Sequence, residues 1–330
     1  MTRRLTRLAL GCLLAVGLAE APAHAASSPS DRPATCRAGV ITVDVPTPAD
    51  VHVADHRVDV LLPADYCASA TRRRSYPVLY LLHGVGDTFS TWTANTDVAA
   101  YSRAYDVIIV MPDGGHGTNA GWYSDWLDGQ YQYETYDTSI LPTWIDSHFR
   151  ARPHDVAIAG NSMGGFGALS YAARHPRAYR AAAAFSGADD MLYGAPACGE
   201  VFAEGSPYLG TPANGVWGPQ ATDGPVWAAH NPASLAGRLE GTAVYLASGT
   251  GTPGGSQGDD PSKGTDYVLE NGIFQMNVSM ARSLTLAGVP YKSDFYAGGY
   301  HGWPYWQADL HWALPQLAAD LDAPPPVGAA

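Results

Sequence analysis

Positive charge is scarce in this sequence: 19 Lys and Arg stand against 31 Asp and Glu, a formal net charge of −12 over 330 residues. A chain so acidic repels a polyanion at long range, and outside the run Thr71 to Arg74, read as a solvated loop, no basic cluster offers phosphate contacts. Nucleic acid is excluded as a partner. Long apolar runs are also missing. The stretch from Leu8 to Ala19 is too short to span a bilayer, and no later segment is long enough or free enough of charge, so no membrane span is expected. That stretch follows Arg3, Arg4 and Arg7 and precedes Ala23-His24-Ala25, the pattern of an export signal cut after Ala25. A secreted protein is therefore expected, by the general secretory route or, given Arg3-Arg4, by twin-arginine export. Loss of three Arg and Glu20 leaves 16 basic and 30 acidic residues, a formal charge of −14.

Cysteine is sparse. Beyond the expected signal only Cys36, Cys67 and Cys198 remain, an odd number in a disulfide-permissive setting. Cys36 and Cys67 flank an N-terminal strand pair and make the expected bridge, whereas Cys198 sits in a Gly/Pro loop with no His nearby and reads as a bystander thiol. Metal-ligand spacings such as CxxC or HExxH do not occur, and Asp259 and Asp260 alone are weak evidence for calcium. Gly249 to Gly254 satisfies G-x-G-x-x-G, but Pro253 removes an N–H that should face phosphates, and a further loop intervenes before any helix. No metal and no cofactor are expected.

What is present is an alternation of strand-like and helix-like runs. "GVITVDV", "HRVDVLL", "PVLYLL", "DVIIVM", "DVAIAG", "AAAAFSG", "TAVYLAS" and "YKSDFY" read as strands, and helical stretches fall near 138 to 148, 163 to 174, 264 to 287 and 304 to 319. Unbroken apolar strands followed by helices indicate an α/β fold, a mostly parallel sheet covered on both faces with an antiparallel leading pair. The expected organisation is a signal at 1–25, a leader at 26–36, a single domain at 37–322 with a loop-rich insertion at 187–240, and a tail at 323–330. In such sheets chemistry gathers at the carboxyl ends of strands.

One such end carries Gly160-Asn161-Ser162-Met163-Gly164, a nucleophile-elbow pattern between the strand "DVAIAG" and a helix. A serine N-cap is the plainer alternative, but a cap does not require glycine on both sides. A serine nucleophile needs a base and an orienting acid. His301, in a Gly-rich loop after "YKSDFY" and before a helix that Pro304 can start, is the base; His311, beside Leu310 and Leu314, reads as structural. For the acid, Tyr267, Glu270, Phe274, Val278 and Ala281 share one helical face, making Glu270 a carboxylate on an apolar stripe. Asp189 and Asp190, just after "AAAAFSG", are the rivals. Oxyanion donors are expected from the backbone N–H of Met163, which follows the serine, and of Val85 in "LLHGVGD". Trp122, Tyr123, Trp126, Trp303 and Trp306 are available to line an acyl or sugar cleft; of these Trp126 and Trp303, with His83, are the substrate-contact candidates.

Taken together, "LLHGVG", "GNSMGGFGAL", "VLENGI" and "YHGWPYW" resemble the esterase D-like branch of the α/β-hydrolases, and within it the secreted antigen 85 mycolyltransferases, over about residues 76 to 312. The resemblance implies that the acid is a glutamate on the helix after the seventh strand, which is Glu270 here, and that Val85 and Met163 hold the oxyanion. Members that acylate trehalose carry an Asp and an Arg where this chain has His83 and Gly86. The implied activity is therefore ester hydrolysis through an acyl-enzyme, or acyl transfer to an alcohol other than trehalose, on a small-molecule, lipid or sugar ester; the sequence leaves the oligomeric state open, with a monomer as the expectation. A mycolyltransferase proper and a non-catalytic cell-surface or matrix binding module on the same fold are the alternatives.

Overall fold

The computed structural model describes residues 39–194 and 213–323. The expected signal, the leader, Cys36, Cys198 and the tail beyond Ala323 lie outside the described residues, and with Cys36 goes the expected pairing to Cys67.

Eight strands form one sheet: β1 (Val40–Asp44), β2 (Arg57–Leu61), β3 (Tyr76–Leu82), β4 (Ile108–Pro112), β5 (Ala151–Asn161), β6 (Ala181–Phe185), β7 (Ala243–Gly249) and β8 (Tyr291–Tyr296). Their spatial order is β1-β2-β4-β3-β5-β6-β7-β8. β1 pairs antiparallel with β2, β2 antiparallel with β4, and every later pairing is parallel, as in Leu79 opposite both Ile109 and Ala157. The leading strands thus form the antiparallel edge that the sequence indicated.

β3 is buried along its whole length, and its alternate side chains serve two cores. Val78, Tyr80 and Leu82 join one cluster with Phe166, Leu169, Ile273, Met280 and Leu284; Leu79 and Leu81 join the other with Trp92, Leu310, Leu314 and Leu317. Covering both faces is the reason the strand reads as a continuous apolar run instead of an alternating one. Each leucine brought from water to full burial contributes about 2 kcal/mol, opposed by ordering entropy. The helices α1 (Leu141–His148), α2 (Met163–Arg174), α3 (Gln220–His230) and α4 (Gly264–Ala287) pack on the first face, while α5 (Trp303–Asp320) covers the second. No helix of the described residues is long and apolar enough to cross a membrane.

α4 departs from the expected stripe. Tyr267, Glu270 and Ala281 are buried as expected, but Val278 is exposed and the buried line runs through Ile273, Asn277, Met280 and Leu284. Apolar residues occupy two adjacent faces of this helix, and spacing alone does not reveal that the polar Asn277 goes inward, where its amide donates to the Gly187 carbonyl (2.8 Å).

Candidate active site

Ser162 occupies the turn between β5 and α2 with φ 55° and ψ −119°, a conformation costly for any residue with a β-carbon. Neighbouring glycines make the turn possible. A β-carbon at Gly160 would lie 2.5 Å from the Gly164 carbonyl, and one at Gly164 would lie 2.5 Å from the Leu82 carbonyl oxygen. The turn is pinned by hydrogen bonds: Ser162 N–H donates to Phe185 O (2.9 Å), and Ser162 O accepts from Phe166 N–H (3.1 Å) and Ala188 N–H (3.3 Å). Of the six described non-glycine residues with positive φ, three belong to this site: Ser162 itself, Ser186, which bonds Glu270, and Tyr123, which bonds the loop after β3.

The strained turn presents the hydroxyl to the loop between β8 and α5. His301 Nε2 lies 2.9 Å from Ser162 Oγ, and His301 Nδ1 lies 2.7 Å from Glu270 Oε2. With the carboxylate accepting from Nδ1–H, Nε2 is left to accept the serine proton. The His301 backbone N–H donates to Asp266 O (3.1 Å), and the edge-on ring of Trp306 stands 5.0 Å away, so the imidazole is held from two sides.

Glu270 is 1% exposed and has no Lys or Arg partner among the described residues, yet its carboxylate is satisfied. Oε1 accepts from Ser186 Oγ–H (2.7 Å), Ser248 Oγ–H (2.9 Å) and Gly249 N–H (3.0 Å), while Oε2 accepts from His301. Hydrogen bonds of this number offset the cost of removing the group from water. Ser186 and Ser248 stand at the ends of β6 and β7; the rule that function gathers at strand ends marks both, but their hydroxyls carried no separate signal.

Asp189 and Asp190 do not reach His301. Asp190 accepts from the Asn231 amide (2.9 Å), the Leu192 N–H (3.2 Å) and the Ser279 hydroxyl (2.6 Å). Asp189 is completely buried, neither of its carboxyl oxygens has a hydrogen-bond partner among the described residues, and burial pushes its pKa up to about 8.

The Met163 N–H opens α2 and has no acceptor within the helix, and the Val85 N–H lies in the loop after β3; neither donates to another described group. That loop is clamped from beneath. The Tyr123 hydroxyl accepts from His83 N–H (3.0 Å) and donates to His83 O (3.0 Å). His83 itself is 1% exposed, which corrects its place among the substrate contacts. Its Nε2 accepts from Gly114 N–H (2.7 Å), so Nδ1–H donates to Gly84 O (2.8 Å), and burial lowers its pKa and keeps it neutral. Both ring nitrogens are thus spent on backbone. Trp126 needs the same correction: it is 3% exposed, donates to Gly121 O (3.2 Å) and packs edge-on to Tyr131. Its apolar bulk is better placed in the core than in a wet cleft. Trp303 remains partly exposed, packed edge-on against Trp92 and Trp306, with its indole N–H turned to the carboxyl of Asp87. Asp87 and Tyr123 are the site neighbours to which the sequence assigned no role of this kind. His311 is structural, stacked on Tyr101 and bonded to Asp97 Oδ1 (2.7 Å). Among the described residues no three His, Cys, Asp or Glu side chains gather as a metal site.

A mostly parallel eight-stranded sheet with helices on both faces and a strained serine between strand and helix is the α/β-hydrolase fold. The model of the protein family described as "Putative esterase" matches residues 53–317, and the chain belongs to that family. It is 33% identical over 250 residues to Esterase Rv1288 of Mycobacterium tuberculosis, covering 74% of this chain and 52% of the relative. The chain therefore spans about half the length of that esterase. It is 31% identical over 270 residues to the diacylglycerol acyltransferase/mycolyltransferase Ag85A of the same species, covering 77% of this chain and 76% of the relative. Among solved structures, M. tuberculosis MPT51 superimposes with a TM-score of 0.68 at 24% identity, over 86% of this chain and 100% of its own. An S-formylglutathione hydrolase from Agrobacterium tumefaciens gives 0.63 at 17%, over 86% and 96%. At these identities the structural likeness is one of fold.

Proposed function

We propose that the protein is a serine carboxylic-ester hydrolase working through an acyl-enzyme. The observation that carries this reading is the imidazole of His301, within hydrogen-bond distance of both Ser162 Oγ (2.9 Å) and Glu270 Oε2 (2.7 Å). Ser162 Oγ attacks the ester carbonyl as its proton passes to His301 Nε2, and Glu270 fixes the tautomer and stabilises the imidazolium. The Val85 and Met163 N–H groups receive the charge that develops on the carbonyl oxygen. Collapse of the tetrahedral intermediate breaks the bond to the alcohol, which leaves with the proton from His301. Water then repeats the sequence in reverse, releasing the acid and restoring the serine.

An alcohol in place of water turns hydrolysis into acyl transfer, the activity named for the relative Ag85A. With His83 folded inward and Gly86 exposed but without a side chain, this loop has no Asp–Arg pair to hold trehalose, which favours hydrolysis or another acceptor over mycolyl transfer. A binding module would have no use for a strained serine and a buried carboxylate joined through one imidazole. Residues 1–25 are proposed to direct export, residues 37–322 to act as one catalytic domain with its insertion at 187–240, and Cys36 to pair with Cys67.

The test is hydrolysis of p-nitrophenyl esters of graded acyl length. An initial burst of about one p-nitrophenol per chain, followed by slower turnover, is the kinetic mark of an acyl-enzyme. Ser162→Ala should remove both with the fold retained, a loss on the order of 10⁴-fold or more. Turnover that survives in that variant refutes the proposal.

A further inference from the structure

The mechanism above leaves one carboxyl at the site without a task. Asp87 follows the oxyanion donor Val85 by two residues and is partly exposed. One of its carboxyl oxygens and Ser162 Cβ each lie 3.2 Å from the same point, the position a β-carbon on Gly84 would take, so the carboxyl and the nucleophile border the same small space. It faces the Gly84 backbone, the Trp303 indole N–H and the side-chain amide of Asn161, which is fully buried and has no hydrogen-bond partner among the described residues. No described cation pairs with it.

We propose that Asp87 is a specificity-determining residue that hydrogen-bonds a second hydroxyl of the alcohol, so that the acyl group on Ser162 is taken from, and returned to, polyols in preference to simple alcohols. This role rests on the reading of Ser162 as nucleophile. In the transfer step the attacking hydroxyl oxygen of the polyol bonds to the acyl carbon and gives its proton to His301, the bond from that carbon to Ser162 Oγ breaks, and the proton passes on to Oγ. Asp87 takes no part in these bonds. It holds the neighbouring hydroxyl, and thereby the attacking one, in line.

Three features favour a hydroxyl over other partners. Burial pushes the Asp87 carboxyl up to about 7, so near neutrality it serves as acceptor when ionised and donor when protonated, and a hydroxyl matches both states. A cationic group would demand the ionised form throughout, and Trp303 turns its N–H edge to the carboxyl where a cation cage would offer a ring face. A purely apolar alcohol would leave the carboxyl and the Asn161 amide desolvated and unpaired, which a polar site disfavours strongly.

The experiment is a partition measurement. With a p-nitrophenyl ester as donor, the common acyl-enzyme is divided between glycerol and propan-1-ol at equal concentration, and the ratio of the two ester products is read; how fast the acyl-enzyme forms does not enter. The wild-type ratio should favour glycerol, and Asp87→Ala should lower the preference about tenfold, the worth of one hydrogen bond to a charged group. Should the alanine variant fail to fold, Asp87→Asn, which preserves volume, is expected to lower it about threefold, because a neutral acceptor binds a hydroxyl more weakly. A wild-type ratio that does not favour glycerol, or one unchanged in the folded variant, overturns the proposal. Turnover in the wild type no faster than in Ser162→Ala removes the nucleophile and this role together, whereas serine-dependent turnover with an unchanged ratio removes this role alone.

Discussion

Replacing Asp189 with Asn is expected to stabilise the protein at neutral pH and leave its turnover little changed. The side chain is wholly buried, bonded to nothing described, and beside Asp190, so the fold holds its pKa up at about 8. In the unfolded chain the group ionises near 3.9. Below that range it is protonated in both states and the fold incurs no penalty. Between about 4 and about 8 the unfolded chain releases the proton and the folded one keeps it, so stability falls as pH rises, at ~1.4 kcal/mol per unit; above about 8 the loss is complete. At pH 7 roughly three units of that window have been crossed, a penalty of about 4 kcal/mol that an amide, unable to ionise, does not incur. Thermal unfolding at pH 3.5 and pH 7.5 measures it: the melting temperature of the variant should exceed the wild type's only at the higher pH, by ~1.5 °C per kcal/mol. Equal gains at both pH values, or a loss at pH 7.5, would refute the linkage. Loss of turnover would refute the assignment of the acid to Glu270, since Asp189 would then be the carboxylate that matters.

Glu270→Gln keeps the volume but removes the charge that fixes the His301 tautomer, and should lower kcat by about 10³ to 10⁴, read in the same ester assay beside Asp189→Asn. Gly160→Ala places a β-carbon 2.5 Å from the Gly164 backbone, so the turn must shift; a loss of about 1–3 kcal/mol in denaturant melts and a larger loss of activity are expected. Tyr123→Phe leaves the His83 N–H and carbonyl without their common partner, and kcat should fall by about tenfold while KM for a simple ester stays near the wild-type value. An unchanged kcat in that variant would show that the loop holds the Val85 N–H in place without the hydroxyl.

The layout of the sheet was legible because both of its faces are buried: strands such as Tyr76–Leu82 contain no polar interruption, and their helices begin where the periodicity changes. Ser162 was legible for a steric reason, since only glycine fits two residues to either side of it. Glu270 was half legible. Its place on a helical face was read correctly, but the face was drawn through Val278, which is exposed, and missed Asn277, which is buried because a carbonyl across the core accepts from it. His83 and Trp126 were misjudged as ligand contacts because spacing gives the strand end and not the direction of a side chain; both point inward and hold backbone. Nothing local marks Tyr123 as the clamp of a loop forty residues away, since that bond exists only once the sheet has formed.

The most direct measurement is reaction with a fluorophosphonate probe, read by mass spectrometry of the intact protein and of its peptides. A single phosphonyl adduct on the peptide containing Ser162, formed quickly in the wild type and far more slowly in His301→Ala, is the predicted result. No adduct, or one of undiminished rate without the imidazole, would contradict the account.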